Sequence, residues 1–264
     1  MIRVLTAIVL LSILAIALWL PPIAFVVVLT LFLALAWSEY AGLAAEAGAT
    51  PLHGFGAPLS IACATSFAAP DPRAPIVVVG VTLLLSATLA LAAGRQHPTL
   101  AVRRTIGTVG GICWLGVLPG FHVALRYEAQ GIALIVLLFA AICSGDIAAY
   151  YGGSLFGRRP LAPNLSPNKT IEGTLFGLAG SSVGGAFVVH FWIDGATWPV
   201  GLAVGLLLGA VGQAGDLFES ALKRAADAKD SSGILPGHGG ILDRLDGLLF
   251  AGAMLYAAVY LGLL

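Results

Sequence analysis

Residues 131–150 read Gly131-Ile-Ala-Leu-Ile-Val-Leu-Leu-Phe-Ala-Ala-Ile-Cys-Ser-Gly-Asp-Ile-Ala-Ala-Tyr150, an apolar run broken only near its end by Asp146. A bilayer crossing needs about 20 predominantly apolar residues, with a range of about 17–25. Comparable stretches can be drawn at 4–20, 23–37, 57–69, 75–93, 105–125, 171–193, 199–216 and 248–264. The second and third are short. The weakest is 57–69, which is either re-entrant or borrows flanking residues. The expected fold is an all-α polytopic membrane protein with about nine transmembrane helices.

Composition agrees. The chain is 59% hydrophobic and 10% charged, with a mean hydropathy of +0.97, whereas a soluble domain carries roughly 25% charged residues. Net charge is zero, so no basic field points to nucleic acid. Cys63, Cys113 and Cys143 each sit in an apolar run without metal-ligand spacing and read as small buried residues. The run from Val4 to Leu20 exceeds a signal-peptide core of about 7–15 residues. It ends in Leu18-Trp19-Leu20-Pro21-Pro22 with no small-x-small site, and is expected to be a retained first span.

Orientation follows from Lys and Arg, which favour cytoplasmic loops. With nine spans and a cytoplasmic N-terminus, 11 of the 13 basic residues fall inside and only Arg73 and Arg126 outside. Without the 57–69 span, the early and late basic loops would lie on opposite sides. The expected organisation is N-terminal transmembrane helices over 1–130 and a C-terminal catalytic region over 131–264, with cytoplasmic loops 158–170 and 217–247. Glycines spaced as in Gly201-x-x-x-Gly205-x-x-x-Gly209 read as close helix packing.

Chemistry concentrates in 212–247. Asp216 closes an apolar span. On a continuing helix Asp216, Ser220 and Lys223 share one face, with Glu219 and Arg224 beside them. That helix should end near Asp230, ahead of Ser231-Ser232-Gly233 and the turn signal Pro236-Gly237. Gly237-His238-Gly239-Gly240 can bring backbone N–H groups to a phosphate. Asp243 and Asp246, three apart at the next helix start, are candidate oxygen ligands of the type Mg²⁺ prefers. A plainer reading makes Glu219–Lys223–Asp227 an exposed ion-pair ladder and the basic residues topology signals.

The run Ser220-x-Leu222-Lys223-Arg224-x4-Lys229-Asp230-x-Ser232-x2-Leu235-Pro236-x-His238-Gly239-Gly240-Ile241-x-Asp243-Arg244-Leu245-Asp246 resembles the signature of the phosphatidate cytidylyltransferase family. A second stretch agrees: Asp146-x-x-Ala149-Tyr150, then Phe156-Gly157-Arg158, Leu161-Ala162-Pro163 and Ser166-Pro167-Asn168-Lys169-Thr170-Ile171-Glu172-Gly173. Three positions depart from the family's habit: Ile147 for Ser or Thr, Ser154 near a usual basic residue, and Gly247 where Ser is common.

The resemblance implies transfer of CMP from CTP to phosphatidic acid, giving CDP-diacylglycerol and pyrophosphate. The implied catalytic residues are Asp216, Ser220, Lys223, Arg224, His238 and Asp243. Substrate contacts would come from Asp146, Ser166, Lys169, Thr170, Lys229, Asp230, Gly239, Gly240 and Arg244. Thr170 can cap the following helix, whose N-terminus favours anions. Asp216, Asp243 and Asp246 would hold Mg²⁺, with room for a second cation. Implied partners are CTP, phosphatidic acid and membrane lipids, without nucleic acid, and a homodimer stays open. The implied location is the cell inner membrane, with the active site on the cytoplasmic side. Two alternatives stand beside this: another CTP-dependent lipid enzyme, such as an isoprenoid-ether cytidylyltransferase or a polyprenol kinase, and a transporter.

Overall fold

A computed structural model describes residues 2–237 and 239–264. Among the described residues the chain is mostly helical, with one two-stranded hairpin and an isolated bridge between Leu235 and Gly239. Its helices are α1 (Ile2–Trp19), α2 (Pro22–Glu46), α3 (His53–Ser66), α4 (Arg73–Gly94), α5 (Pro98–Ile112), α6 (Leu118–Tyr127), α7 (Gly131–Phe156), α8 (Ile171–Trp192), α9 (Trp198–Ala225) and α10 (Leu242–Tyr260). A π-helical turn, Cys113–Val117, joins α5 to α6 without a break. Proline lacks an N–H and its ring crowds the carbonyl four residues back. Pro119 stands just past this turn, where the wider winding makes room for it.

Among the described residues, six helical runs are long and apolar enough to cross a membrane: Pro22–Glu46, Arg73–Gly94, Pro98–Tyr127, Gly131–Phe156, Ile171–Trp192 and Trp198–Ala225. Their outer faces are apolar rather than charged. On α4, Ile76 is 74% and Leu84 72% exposed, as a lipid-facing surface requires and a water-facing one avoids. The stretch 57–69 is the short helix α3. Its 14 residues rise only about 21 Å, against a hydrocarbon core of about 30 Å. It carries Pro58 and buries Ser60, Cys63 and Ala64.

The helices form two compact units, residues 1–127 with 222–245, and residues 128–221 with 246–264. In the first unit, Trp37 and Tyr40 of α2 pack on the glycine-rich stretch of α5. The Tyr40 hydroxyl donates to the Gly107 carbonyl at 2.6 Å, and Trp114 meets the Tyr40 ring edge-on. A Cβ on Gly111 would stand 2.8 Å from the Trp37 ring. Arg126, expected as an outside loop charge, is buried. Its guanidinium donates to the carbonyls of Leu18 and Leu20 at 2.8 and 2.9 Å, capping the end of α1.

In the second unit the spaced glycines are packing surface. A Cβ on Gly185 would lie 2.7 Å from the Gly205 backbone, so α8 and α9 touch through bare main chain. The loop 158–170 is a hairpin, β1 (Pro160–Ala162) antiparallel to β2 (Ser166–Thr170). Glu172 closes it. Its carboxylate accepts from the backbone N–H groups of Arg158 and Arg159 and from the Arg159 side chain, at 2.9–3.2 Å. Thr170 caps α8 by accepting from the Gly173 N–H at 3.1 Å.

Candidate active site

Two polar clusters form, one in each unit. In the second unit, Asp216 and Glu219 project from α9 and Asp246 from the second turn of α10. One carboxylate oxygen of each lies within 4.8 Å of the others. Two oxygens on opposite sides of one divalent ion are about 4 to 5 Å apart. Three converging carboxylates repel one another, so the arrangement calls for cations. One is at hand: Lys169, from β2, pairs with Asp216. Glycine brings Asp246 in. A Cβ on Gly215 would stand 2.6 Å from the Asp246 carbonyl oxygen, and one on Gly247 would stand 3.1 Å from that of Gly212. Gly247 thus allows α9 and α10 to approach closely.

Glu219 is fully buried rather than a rung of an exposed ladder. The ladder also lacks its last rung, because α9 ends at Ala225 and not near Asp230. Asp227 takes a left-handed conformation with φ of 52°. The Ala228 N–H then bonds the Lys223 carbonyl and the Asp227 N–H that of Arg224, the paired bonds that close a helix. The Arg224 side chain donates to the Ala228 carbonyl at 2.9 Å.

In the first unit the centre is Asp243. One oxygen takes the Lys223 ammonium at 2.6 Å. The other accepts from the Ser231 N–H at 3.0 Å, the Ser231 hydroxyl at 2.8 Å and the Gly240 N–H at 2.8 Å. Burial pushes this carboxyl up, but the Lys223 bond and the two backbone donors outweigh it and hold it at about 2. Leu235 and Gly239 pair across a tight turn, with Gly237 and Gly239 at φ of 76° and 77°. Those angles suit glycine. His238 lies outside the described residues.

The remaining sequence candidates divide by exposure. Ser220 is buried on α9. Ser166 is half-buried on the hairpin, and Asp146 is exposed on α7. Lys229, Asp230 and Arg244 are exposed.

Sequence reasoning named Asp243, and not Glu219, with Asp216 and Asp246 as metal ligands, whereas Glu219 is the third member of the acidic cluster. It also missed Glu39, which sits on α2, 5% exposed, with four donors within hydrogen-bond reach. Ser232 and Ser231 hydroxyls donate at 2.6 and 3.1 Å, and the Ile241 and Leu242 N–H groups at 3.0 and 2.8 Å. It therefore binds the N-terminus of α10 as an anion would. The available signal was an acid at the end of an apolar run.

A helical chain with several membrane-length apolar runs defines a class: multi-pass helical membrane proteins. The chain belongs to the cytidylyltransferase family, which it matches over residues 1–262. It is 49% identical over 129 residues to a phosphatidate cytidylyltransferase of Brucella suis biovar 1 (strain 1330), covering 49% of this chain and 47% of that relative. It is 43% identical over 134 residues to a Helicobacter pylori (strain ATCC 700392 / 26695) protein of the same name, covering 51% and 50%. With a Bacillus subtilis (strain 168) protein of that name, identity is 40% over 148 residues and 54% of each chain. The match thus spans about half the length of these relatives.

Proposed function

We propose that this protein transfers CMP from CTP to phosphatidic acid, releasing pyrophosphate and leaving CDP-diacylglycerol in the membrane. The observation that carries the proposal is Lys169 paired with Asp216 beside Glu219 and Asp246, in a chain of the cytidylyltransferase family. A lipid phosphate oxygen forms the new bond to the α-phosphorus as the bond to the β-phosphate oxygen breaks. The nucleophile is already anionic, so positioning and charge neutralisation are the protein's main tasks. Asp216, Glu219 and Asp246 fit Mg²⁺ by donor type and spacing. Bound there, Mg²⁺ would offset phosphate charge and stabilise the leaving pyrophosphate. Lys169 and Arg224 serve phosphate oxygens. Lys223 does so from its pairing with Asp243, and Asp243 in this reading orders the loop around it.

We further propose nine crossings with a cytoplasmic N-terminus, and the acidic cluster at the cytoplasmic edge of an inner membrane, where CTP and a membrane lipid can meet. Three contacts inside the first unit support the sidedness of that unit's helices. The Thr6 hydroxyl donates to the Pro236 carbonyl, and Glu39 holds the 231–242 segment, so the start of α1, the end of α2 and the signature loop share a side. Arg126 bonds Leu20, so the ends of α1 and α6 share a side. That second pairing supports one crossing between α2 and α4, for which α3 with its flanking turns is the segment we assign. The reaction is tested by supplying purified protein with [α-³²P]CTP, Mg²⁺ and phosphatidate. Label should enter the lipid fraction only when phosphatidate is present, whereas γ label should leave as pyrophosphate. Label from the γ position in lipid would make the protein a kinase.

A further inference from the structure

Glu39 is a buried carboxylate on a membrane-length helix, a position that is costly unless the charge is used or paired. No arginine or lysine pairs with it in the ion pairs of the described residues. Its charge is met by two hydroxyls and by two backbone N–H groups at the start of α10. A helix N-terminus carries about half a positive charge, which suits an anion in a poorly solvated place. All four donors come from the signature segment, between 192 and 203 residues away in sequence.

Ser231 extends the connection. Its hydroxyl lies 3.1 Å from Glu39 and 2.8 Å from Asp243. A hydroxyl has one hydrogen to donate, so it serves one carboxylate at a time, while the Ser231 backbone N–H stays on Asp243. Asp243 in turn grips Lys223 at 2.6 Å. A continuous polar chain thus runs from Glu39 through Ser231 and Asp243 to the Lys223 ammonium. Gly240 makes the approach possible, because a Cβ there would stand 2.6 Å from both Glu39 oxygens.

We infer that Glu39 is a positioning residue for the cytidylyl transfer, holding the 231–242 segment and the first turn of α10 so that Asp243 presents Lys223 to phosphate. In this role it acts through the segment it holds and not on the reacting atoms. The inference rests on the function proposed above. In Glu39→Gln the shape is kept, but one acceptor oxygen becomes an NH₂ group; the serine hydroxyl on that side can turn to accept from it, whereas the backbone N–H of Ile241 or Leu242 loses its acceptor.

The test compares wild type, Glu39→Gln and Ser232→Ala as full chains in detergent micelles containing phosphatidate. Turnover of [α-³²P]CTP into lipid is followed alongside amide exchange at residues 240–243 and the thermal midpoint. Glu39→Gln should lower kcat by about ten-fold or more, because misplacement of about 1 Å is enough for such a loss. KM for phosphatidate should stay within about two-fold, as expected when substrate binding is untouched. Exchange at Ile241 and Leu242 should rise with the thermal midpoint nearly unchanged. Ser232→Ala, which removes one donor to Glu39 and the acceptor of the Ile234 N–H, should shift the same readouts in the same direction by less. Wild-type kcat in Glu39→Gln, or unaltered exchange at Ile241 and Leu242, overturns the inference. If Glu39→Gln fails to fold, Ser232→Ala decides: lower kcat at an unchanged midpoint supports the inference, and wild-type kcat overturns it. If wild type itself labels no lipid, the proposed reaction fails, and the exchange measurement, which needs no substrate, still decides whether Glu39 orders the segment.

Discussion

The Lys223 ammonium and the Asp243 carboxylate lie 2.6 Å apart, with their side chains only 13% and 6% exposed. An ion pair this sheltered is weakly screened, and removing one partner costs about 3–5 kcal/mol because the other is left charged and unpaired. Lys223→Ala should therefore lose most activity and stability together. Lys229 is exposed, and Lys229→Ala should stay within about 0.5 kcal/mol of wild type. Comparing the two variants by thermal unfolding and lipid labelling checks the ordering. Equal losses would refute it.

Asp243 also sets a pH signature. Its carboxyl is held at about 2 against an ordinary 3.8. A lowered carboxylate adds stability that is complete above the unfolded value and is lost as pH falls through the folded one. The window therefore runs from about 4 down to about 2, and the contribution is about 2 kcal/mol. Asp243→Asn should be less stable than wild type at about pH 6, and the gap should close near pH 2. Denaturant midpoints across that range provide the measurement. A gap that persists unchanged at the acid end would count against the assigned charge.

Charge removal within the acidic cluster should show in metal dependence. Glu219→Gln or Asp246→Asn should raise the Mg²⁺ concentration for half-maximal activity by about ten-fold or more. Mn²⁺ binding followed by electron paramagnetic resonance should weaken in parallel. Unchanged Mn²⁺ affinity in both variants would remove the cluster as the metal site.

Gly215→Ala tests how Asp246 is delivered. The added methyl group would start 2.6 Å from the Asp246 carbonyl, so α9 and α10 must separate. Overpacking of this kind costs about 1–3 kcal/mol, and activity should fall with it. A variant with wild-type melting and turnover would show that the close approach is dispensable.

Membrane sidedness can be read with single cysteines at Ala162, Ala228 and Ala129, in a chain lacking Cys63, Cys113 and Cys143. The first two should label from the cytoplasmic side and the third from the other. Labelling of positions 162 and 228 from opposite faces would break the nine-crossing arrangement.

The long helices were legible because an uncharged run such as 131–145 leaves little alternative to a span. The signature was legible because its residues cluster within one stretch of chain. Thr170 and the Gly237–Gly240 turn followed from local chemistry, since a cap and a tight turn involve neighbours. What escaped depended on distant partners. Glu39 closes an apolar run, but its donors lie some two hundred residues on, so its role could not be read from its neighbours. The end of α9 turned on Asp227 adopting a left-handed φ that aspartate takes only sometimes. Arg126 looked like a loop charge because its carbonyl partners are 106 and 108 residues earlier.

That last pairing bears on how the protein is made. α1 leaves the ribosome long before the guanidinium that caps it. Until α6 arrives, the Leu18 and Leu20 carbonyls must lean on water, lipid headgroups or the insertion machinery. α1 is thus secured only after α2 to α5 have been made, and a nascent chain stopped short of Arg126 leaves the end of α1 unfastened.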